Sequence, residues 1–164
     1  MIGAGVVVWF TGLPASGKST LAARVRARLR RASVVLDSDE IRTAIEAESY
    51  DPYDRDRFYR VLAKLAAGFA RQGLVVLVAA TAPRRAHRER ARALTPNLLE
   101  VWVRTPVSEC AQRDVKGLYA RAAAGAITSL PGAGSDYETP VSPDFVAEGG
   151  FDDEAAVAIQ RRLE

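Results

Sequence analysis

The sequence predicts an α/β fold in which a parallel sheet is flanked by helices, and two patterns predict it. Short apolar runs at residues 6–10, 33–36, 74–79 and 98–103 alternate with stretches of helical periodicity. Right-handed crossovers turn that order into a parallel sheet with helices on both faces, a three-layer arrangement. A glycine loop, GLPASGKST at residues 12–20, separates the first apolar run from the first helix. In sheets of this kind ligands gather at the C-terminal edge of the strands.

Each element has its own reason. Residues 6–10 lack a basic start and lead straight into the glycine loop, which makes them a first strand rather than a secretory signal. Leu21, Val25 and Leu29 recur every four residues, as on one helix face. Residues 33–36 are a second buried strand ending in Asp37-Ser38-Asp39-Glu40, with helix expected over 41–48 and a loop with Pro52 over 49–53. From 54 to 72 the spacing of Phe58, Leu62, Leu65 and Phe69 predicts a long amphipathic helix ended near Gly73. Residues 74–79 are apolar enough for a strand buried on both faces, and 84–94 form a very basic helix. A fourth strand at 98–103 and a helix over 106–113 follow. Residues 116–140 hold glycines at 117, 125, 132 and 134 and prolines at 131 and 140, the composition of a helical piece plus a mobile flap. A short fifth strand is expected around Phe145, and Ala156, Ile159 and Leu163 mark a closing helix over 152–163.

The totals narrow the function classes. A chain of 164 residues suits a single domain, 1–164, with a real core. The net charge of +3 and pI near 9.3 come from basic residues spread along the chain, with no aromatic-interleaved patch for nucleic acid. An anionic small substrate explains the balance. No apolar run approaches the roughly 20 residues that span a membrane. The lone Cys110 excludes an internal disulfide, suits a reducing compartment, by default the cytoplasm, and reads as a core residue of its helix.

The glycine loop carries the clearest chemistry. Gly12, Gly17, Lys18 and Ser19 fit GxxxxGKS in its required strand-to-helix context. Glycines let Ala15, Ser16 and their neighbours turn backbone N–H groups toward phosphate oxygens, and the helix beginning near Gly17 adds its positive end. Lys18 brings a full charge to the β and γ phosphates, and the Ser19 hydroxyl is a ligand for Mg²⁺. Phosphoryl transfer also needs a group that orients or deprotonates the acceptor. Asp37 and Asp39 stand where a second strand ends: one is expected to hold Mg²⁺ through water, the other to take the acceptor proton, against the alternative that Asp39 only caps a helix. Arg42, Arg60, Arg85 and Arg88 are candidates for gripping an anionic acceptor bidentately, with a solvated face as the plain alternative for Arg85. His87, the sole histidine, is expected at the surface.

In order along the chain, GLPASGKST, LDSDEIR (36–42), DR (54–55) with Arg60, APRRAHR (82–88), RDVKGLY (113–119) and YETP (137–140) resemble the adenylylsulfate kinases. These enzymes phosphorylate the 3′-hydroxyl of adenosine 5′-phosphosulfate. The resemblance implies the phosphate-loop nucleotide-kinase-like fold with a lid near 116–140, and ATP and Mg²⁺ as cofactors. By position it implies that Asp39 activates the hydroxyl, that Arg42 and Arg60 grip the phosphosulfate, and that Lys116 reaches the acceptor or the transferred phosphate. It puts Arg113 and Thr20 by the ATP, Tyr50 as an aromatic on the acceptor adenine, and Thr81, Ala82, Gly117, Leu118 and Leu130 around the acceptor.

The chain also departs from the family. Ala82-Pro83-Arg84 stands where many members have serine, proline and tyrosine, Leu130-Pro131 replaces a second aromatic and a threonine, and His87 replaces an aspartate. A relative that phosphorylates another small hydroxylated anion is therefore the alternative, with a non-catalytic nucleotide-binding module behind it. The expected partner is a small molecule, not nucleic acid or a membrane; a homodimer stays open.

Overall fold

The fold is described from a computed structural model that covers residues 4–164. The chain runs β1 (Val6–Thr11), α1 (Lys18–Arg26), β2 (Ser33–Asp37), α2 (Ser38–Ala44), α3 (Pro52–Arg71), β3 (Val75–Ala79) and α4 (Arg85–Leu94). It continues through β4 (Leu98–Val103), α5 (Val107–Arg113), α6 (Leu118–Ala123), β5 (Leu130–Pro131), β6 (Gly134–Ser135), β7 (Phe145–Ala147) and α7 (Asp153–Leu163). The main sheet has five strands in the order β2-β3-β1-β4-β7, all parallel. The parallel sheet, its flanking helices and the short strand at Phe145 agree with the sequence reading.

Alternation along β1 divides the core into two layers. Val6, Val8 and Phe10 face α1 and α7 and pack with Leu21, Val25 and Ile159, while Val7 and Trp9 face α3 and α4 with Phe58, Leu62 and Ala91. On α3 the buried stripe is Phe58, Tyr59, Leu62, Ala63, Ala66, Ala67 and Ala70, so alanines continue the face and Leu65 is 37% exposed. Small side chains let this helix lie close on the sheet. Helix α2 begins at Ser38, earlier than the spacing suggests, because Asp37 caps it by accepting from the Asp39 N–H at 2.9 Å.

Two sequence expectations for α4 are corrected here. His87 is buried, not on the surface: it stacks on Tyr59 with centroids 4.6 Å apart, and burial pushes its imidazole down to about 4. Arg88 is 4% exposed and turned into the protein: its Nε donates to Glu100 Oε1 at 2.8 Å, and its Nη atoms donate to the Ala82 and Glu138 carbonyls, each at 2.6 Å. Arg85 is likewise committed, its N–H to Glu138 Oε2 at 2.7 Å and its Nε to the Thr139 carbonyl at 3.0 Å. Neither arginine grips an acceptor. They fasten residues 136–140 over the end of β3, where the Glu138 N–H also donates to the Pro83 carbonyl at 2.8 Å.

Removing one side of a buried ion pair strands the other charge. Arg88→Ala is expected to destabilise the protein by roughly 3–5 kcal/mol in urea unfolding, because Glu100 and two carbonyls lose their donors together.

Candidate active site

The strands of the main sheet deliver loop-forming or polar residues to their C-terminal edge, Thr81 beyond β3 among them. After β1 the chain turns through Gly12, where a Cβ would stand 2.5 Å from the Val103 carbonyl oxygen, so the loop can close against β4 only with glycine there. Thr105, just beyond β4, donates to the Ser16 carbonyl at 2.6 Å and fixes the loop's far side. Gly17 has φ +97° and approaches Gly150 so closely that a Cβ would lie 2.5 Å from its N, which draws the segment after β7 against the start of α1. Lys18 folds over the loop and donates to the Gly12 and Leu13 carbonyls at 3.0 and 2.8 Å. Burial pushes its ammonium down to about 8, against the opposing pull of Asp39 and Asp37.

At the end of β2 one carboxylate does two things. Asp37 Oδ1 caps α2, and Oδ2 accepts from the Ser19 hydroxyl. Asp39 is two residues on, in the first turn of α2; its side chain is not the cap but pairs with Lys116 from across the cleft. Lys116 reaches there because Asp114 holds the start of α6, accepting from the Tyr119 and Ala120 N–H groups at 2.9 Å each. Tyr119 then donates its hydroxyl to the Pro14 carbonyl at 2.8 Å. The segment 113–119 is thus tied to the glycine loop at one end and to α2 at the other.

These groups line one cavity of about 710 Å³. Its donor end is walled by Ala15, Ser16, Gly17, Lys18, Ser19 and Thr20, with Arg113, Gly150 and Phe151 beside them. Its other end is walled by Arg42, Tyr50, Thr81, Lys116, Leu118 and Leu130, with Asp37 and Asp39 between the two ends. Among the described residues no cluster of three or more His, Cys, Asp or Glu could cage a metal. A hydroxyl and a carboxylate side by side, Ser19 and Asp37, are instead the hard oxygen pair that suits a Mg²⁺ sharing its remaining positions with phosphates and water.

Several expected residues stand elsewhere. Arg60 is on the outer face of α3, its Nη2 2.6 Å from Asp56 Oδ2, and does not line the cavity. Arg55 does, donating to the Ser129 carbonyl at 3.2 Å, and desolvation lowers its pKa. Ala82 is fully buried at a left-handed φ of 41°, held by its N–H to the Tyr59 hydroxyl at 3.0 Å, and its neighbours Thr81 and Pro83 meet the cavity instead. Gly117 turns the chain into α6 without lining the cavity, and Gly12 acts through its backbone. Arg42 reaches the wall but is 7% exposed, with its guanidinium 3.8 and 4.2 Å from the Phe58 and Tyr50 ring centroids. Cys110 is buried with Tyr119 and Leu130 in a small cluster of its own, as a core residue.

The sequence matches the adenylylsulphate kinase family over residues 4–148. The chain belongs to that family. The adenylyl-sulfate kinase of Paraburkholderia xenovorans (strain LB400) is 41% identical over 149 residues, covering 88% of this chain and 83% of that one. The bifunctional enzyme NodQ of Azospirillum brasilense is 42% identical over 158 residues, 93% of this chain, and the chain spans only 26% of its length. Among solved structures, the Mycobacterium tuberculosis APS kinase CysC in complex with AMPPNP and APS superposes with a TM-score of 0.90 at 36% identity, covering 99% of each chain. In this family setting, Arg55 belongs to the DR match at 54–55, but the sequence reading gave the anion-gripping role to Arg42 and Arg60 instead. Helical spacing held the signal: positions 55, 59, 62 and 66 share a face, whereas position 60 points away.

The depressed Lys18 pKa sets a direction for nucleotide binding. Affinity for ATP is expected to be full below pH 8 and to fall by up to about tenfold per pH unit above it, because the site then gives up a proton-bearing cation before the phosphates arrive. Titration calorimetry from pH 6.5 to 9.5 measures this; a flat profile contradicts the burial of Lys18.

Proposed function

We propose that this chain is an adenylylsulfate kinase, transferring the γ-phosphate of ATP to the 3′-hydroxyl of adenosine 5′-phosphosulfate and releasing ADP and 3′-phosphoadenylylsulfate. One observation carries the reading beyond family membership: Asp39 and Lys116 meet across the same cavity whose other end is the Lys18 loop. An acid–base group and a mobile cation therefore stand where donor phosphate and acceptor hydroxyl must approach each other.

The roles follow from position. The loop N–H groups and Lys18 hold the β and γ phosphates, Lys18 exchanging its two carbonyl partners for phosphate oxygens. Ser19 and Asp37 would hold Mg²⁺, which when bound would neutralise charge on the phosphates. Thr20 and Arg113 flank the nucleotide. Asp39 accepts the proton of the acceptor hydroxyl as its oxygen bonds to the γ-phosphorus, and the bond to the β–γ bridging oxygen breaks to release ADP. Lys116 leaves Asp39 for the transferring phosphoryl group. Tyr50, Thr81, Leu118 and Leu130 bound the acceptor, and Arg55, rather than Arg60, is the cation facing its anionic end.

The departures from the family bear on the alternative acceptor. Ala82 and His87 are buried away from the cavity and Arg84 does not line it, whereas the adjacent Leu130 and Pro131 do. One altered wall is a narrow basis for a different substrate, and the standard acceptor is favoured. The single thiol suits a reducing compartment, which the cytoplasm provides.

An ADP-release assay with adenosine 5′-phosphosulfate beside other nucleotide and sugar alcohols tests the proposal. Micromolar adenosine 5′-phosphosulfate is expected to be the preferred acceptor; turnover of a different alcohol in its place rejects it. In the same assay Asp39→Asn is expected to lower kcat by on the order of 10²-fold or more while ATP still binds. Near-normal turnover removes Asp39 from the base role.

A further inference from the structure

Tyr59 is a wall residue of the cavity whose hydroxyl is only half used. It is 6% exposed, and two neighbours hold its ring: His87 stacks on one face, and Phe58 meets it edge-on with centroids 5.4 Å apart. At the tip, the oxygen accepts from the Ala82 N–H at 3.0 Å. A phenol also has one proton to give, and among the described residues no acceptor stands within hydrogen-bonding distance of it. Buried hydroxyls normally find one. The Ala82 N–H takes one lone pair and leaves the proton free to turn toward the cavity, where Thr81 and Pro83, on either side of Ala82, share the wall with Tyr59.

The surroundings set the chemistry of what is missing. Arg55 stands four residues earlier on α3, a spacing that shares one helix face, and lines the cavity beside Tyr59. Burial raises the phenol's pKa against the pull of the Ala82 N–H, Arg42 and Arg55, so the hydroxyl keeps its proton at neutral pH. A hydroxyl donor without an acceptor, grouped with guanidinium groups that can only donate, is complementary to an oxyanion.

We infer that Tyr59 binds the acceptor directly: its O–H donates a hydrogen bond to an acid-group oxygen, of phosphate or sulfate, beside Arg55. The inference rests on the kinase reading above for the acceptor's identity, while the unpaired donor in the wall stands independently of it. The plain alternative is that the phenol serves only to hold the Ala82 N–H.

Tyr59→Phe removes the hydroxyl and keeps the ring. It is expected to raise the KM for adenosine 5′-phosphosulfate by about tenfold to a hundredfold, the loss of one hydrogen bond to a charged group, with kcat and the ATP KM within about twofold of the unaltered protein. Adenosine carries the base and sugar without the acid group, and as a competitor it is expected to bind both proteins equally. A role confined to the Ala82 N–H would disturb the turn after β3 and weaken both ligands alike. Equal losses for the two ligands, or no loss for either, therefore overturn the inference.

A second measurement covers the case in which Tyr59→Phe does not fold. With 3-fluorotyrosine at position 59, ADP filling the phosphate loop and inorganic sulfate as the probe, the fluorine resonance is expected to move as sulfate is added. A resonance that sulfate leaves unmoved overturns the inference whichever acceptor the enzyme uses. Failure of the unaltered protein to turn over adenosine 5′-phosphosulfate, with the fluorine shift present, rejects the function reading alone.

Discussion

The site depends on the Asp37 carboxylate more than on any other single group. It ends β2, caps α2 with one oxygen and accepts from Ser19 with the other. A cap fixes where a helix begins and therefore where its first-turn side chains point. Asp37 in this way sets the place of Asp39 relative to the Lys18 loop, and it does so from a strand whose register is locked to β3 along its whole length. Donor and acceptor machinery are joined through one side chain at a sheet edge, so their separation is built into the parallel sheet and is not left to loop conformation.

The lid is organised differently. Its apolar contacts are a small cluster around Cys110, Tyr119 and Leu130, separate from the two layers that flank the sheet. Polar ties do the rest: Asp114 to the start of α6, Tyr119 to Pro14, Lys116 to Asp39. Such ties are directional and mostly half-exposed, and they cost little to exchange for phosphate or hydroxyl partners. Lys116 is more than half exposed, which suits the exchange of partners proposed for it. Tyr119 is the opposite case, buried, with its phenol driven upward by burial and its hydroxyl tied to the Pro14 carbonyl of the glycine loop.

Much of this was legible in the residues. The alternation of strands and helices, the glycine loop and the carboxylates at the end of β2 follow from periodicity and from a motif with a stated mechanism. The inward direction of Arg55 was not legible from the large apolar residues of α3 alone, because the buried face runs on through Ala63, Ala66 and Ala70. Counting alanines with Tyr59 and Leu62 rotates the expected face and brings Arg55 inward in place of Arg60. The misreadings on α4 have a different cause. A helix with arginine at 85, 88, 90 and 92 offers cations to an anionic acceptor or to solvent, and only tertiary structure reveals the Glu100 carboxylate and the carbonyls of Ala82 and Glu138 waiting for Arg88.

That burial explains why two distant stretches, 82–88 and 137–140, belong together. The Thr11 hydroxyl donates to the Thr81 carbonyl at 2.6 Å, which leaves its oxygen to accept from the Tyr137 phenol at 2.8 Å. Ala82 keeps its left-handed φ because Tyr59 and Arg88 satisfy its N–H and carbonyl. The strain of that one residue turns Thr81 and Pro83 toward the cavity while Ala82 itself faces inward. A side chain at position 82 therefore meets core, not substrate. A serine there would have to bury its hydroxyl beside Tyr59 and Arg88, so the alanine changes the packing beneath the acceptor wall and leaves the wall's chemistry to its neighbours.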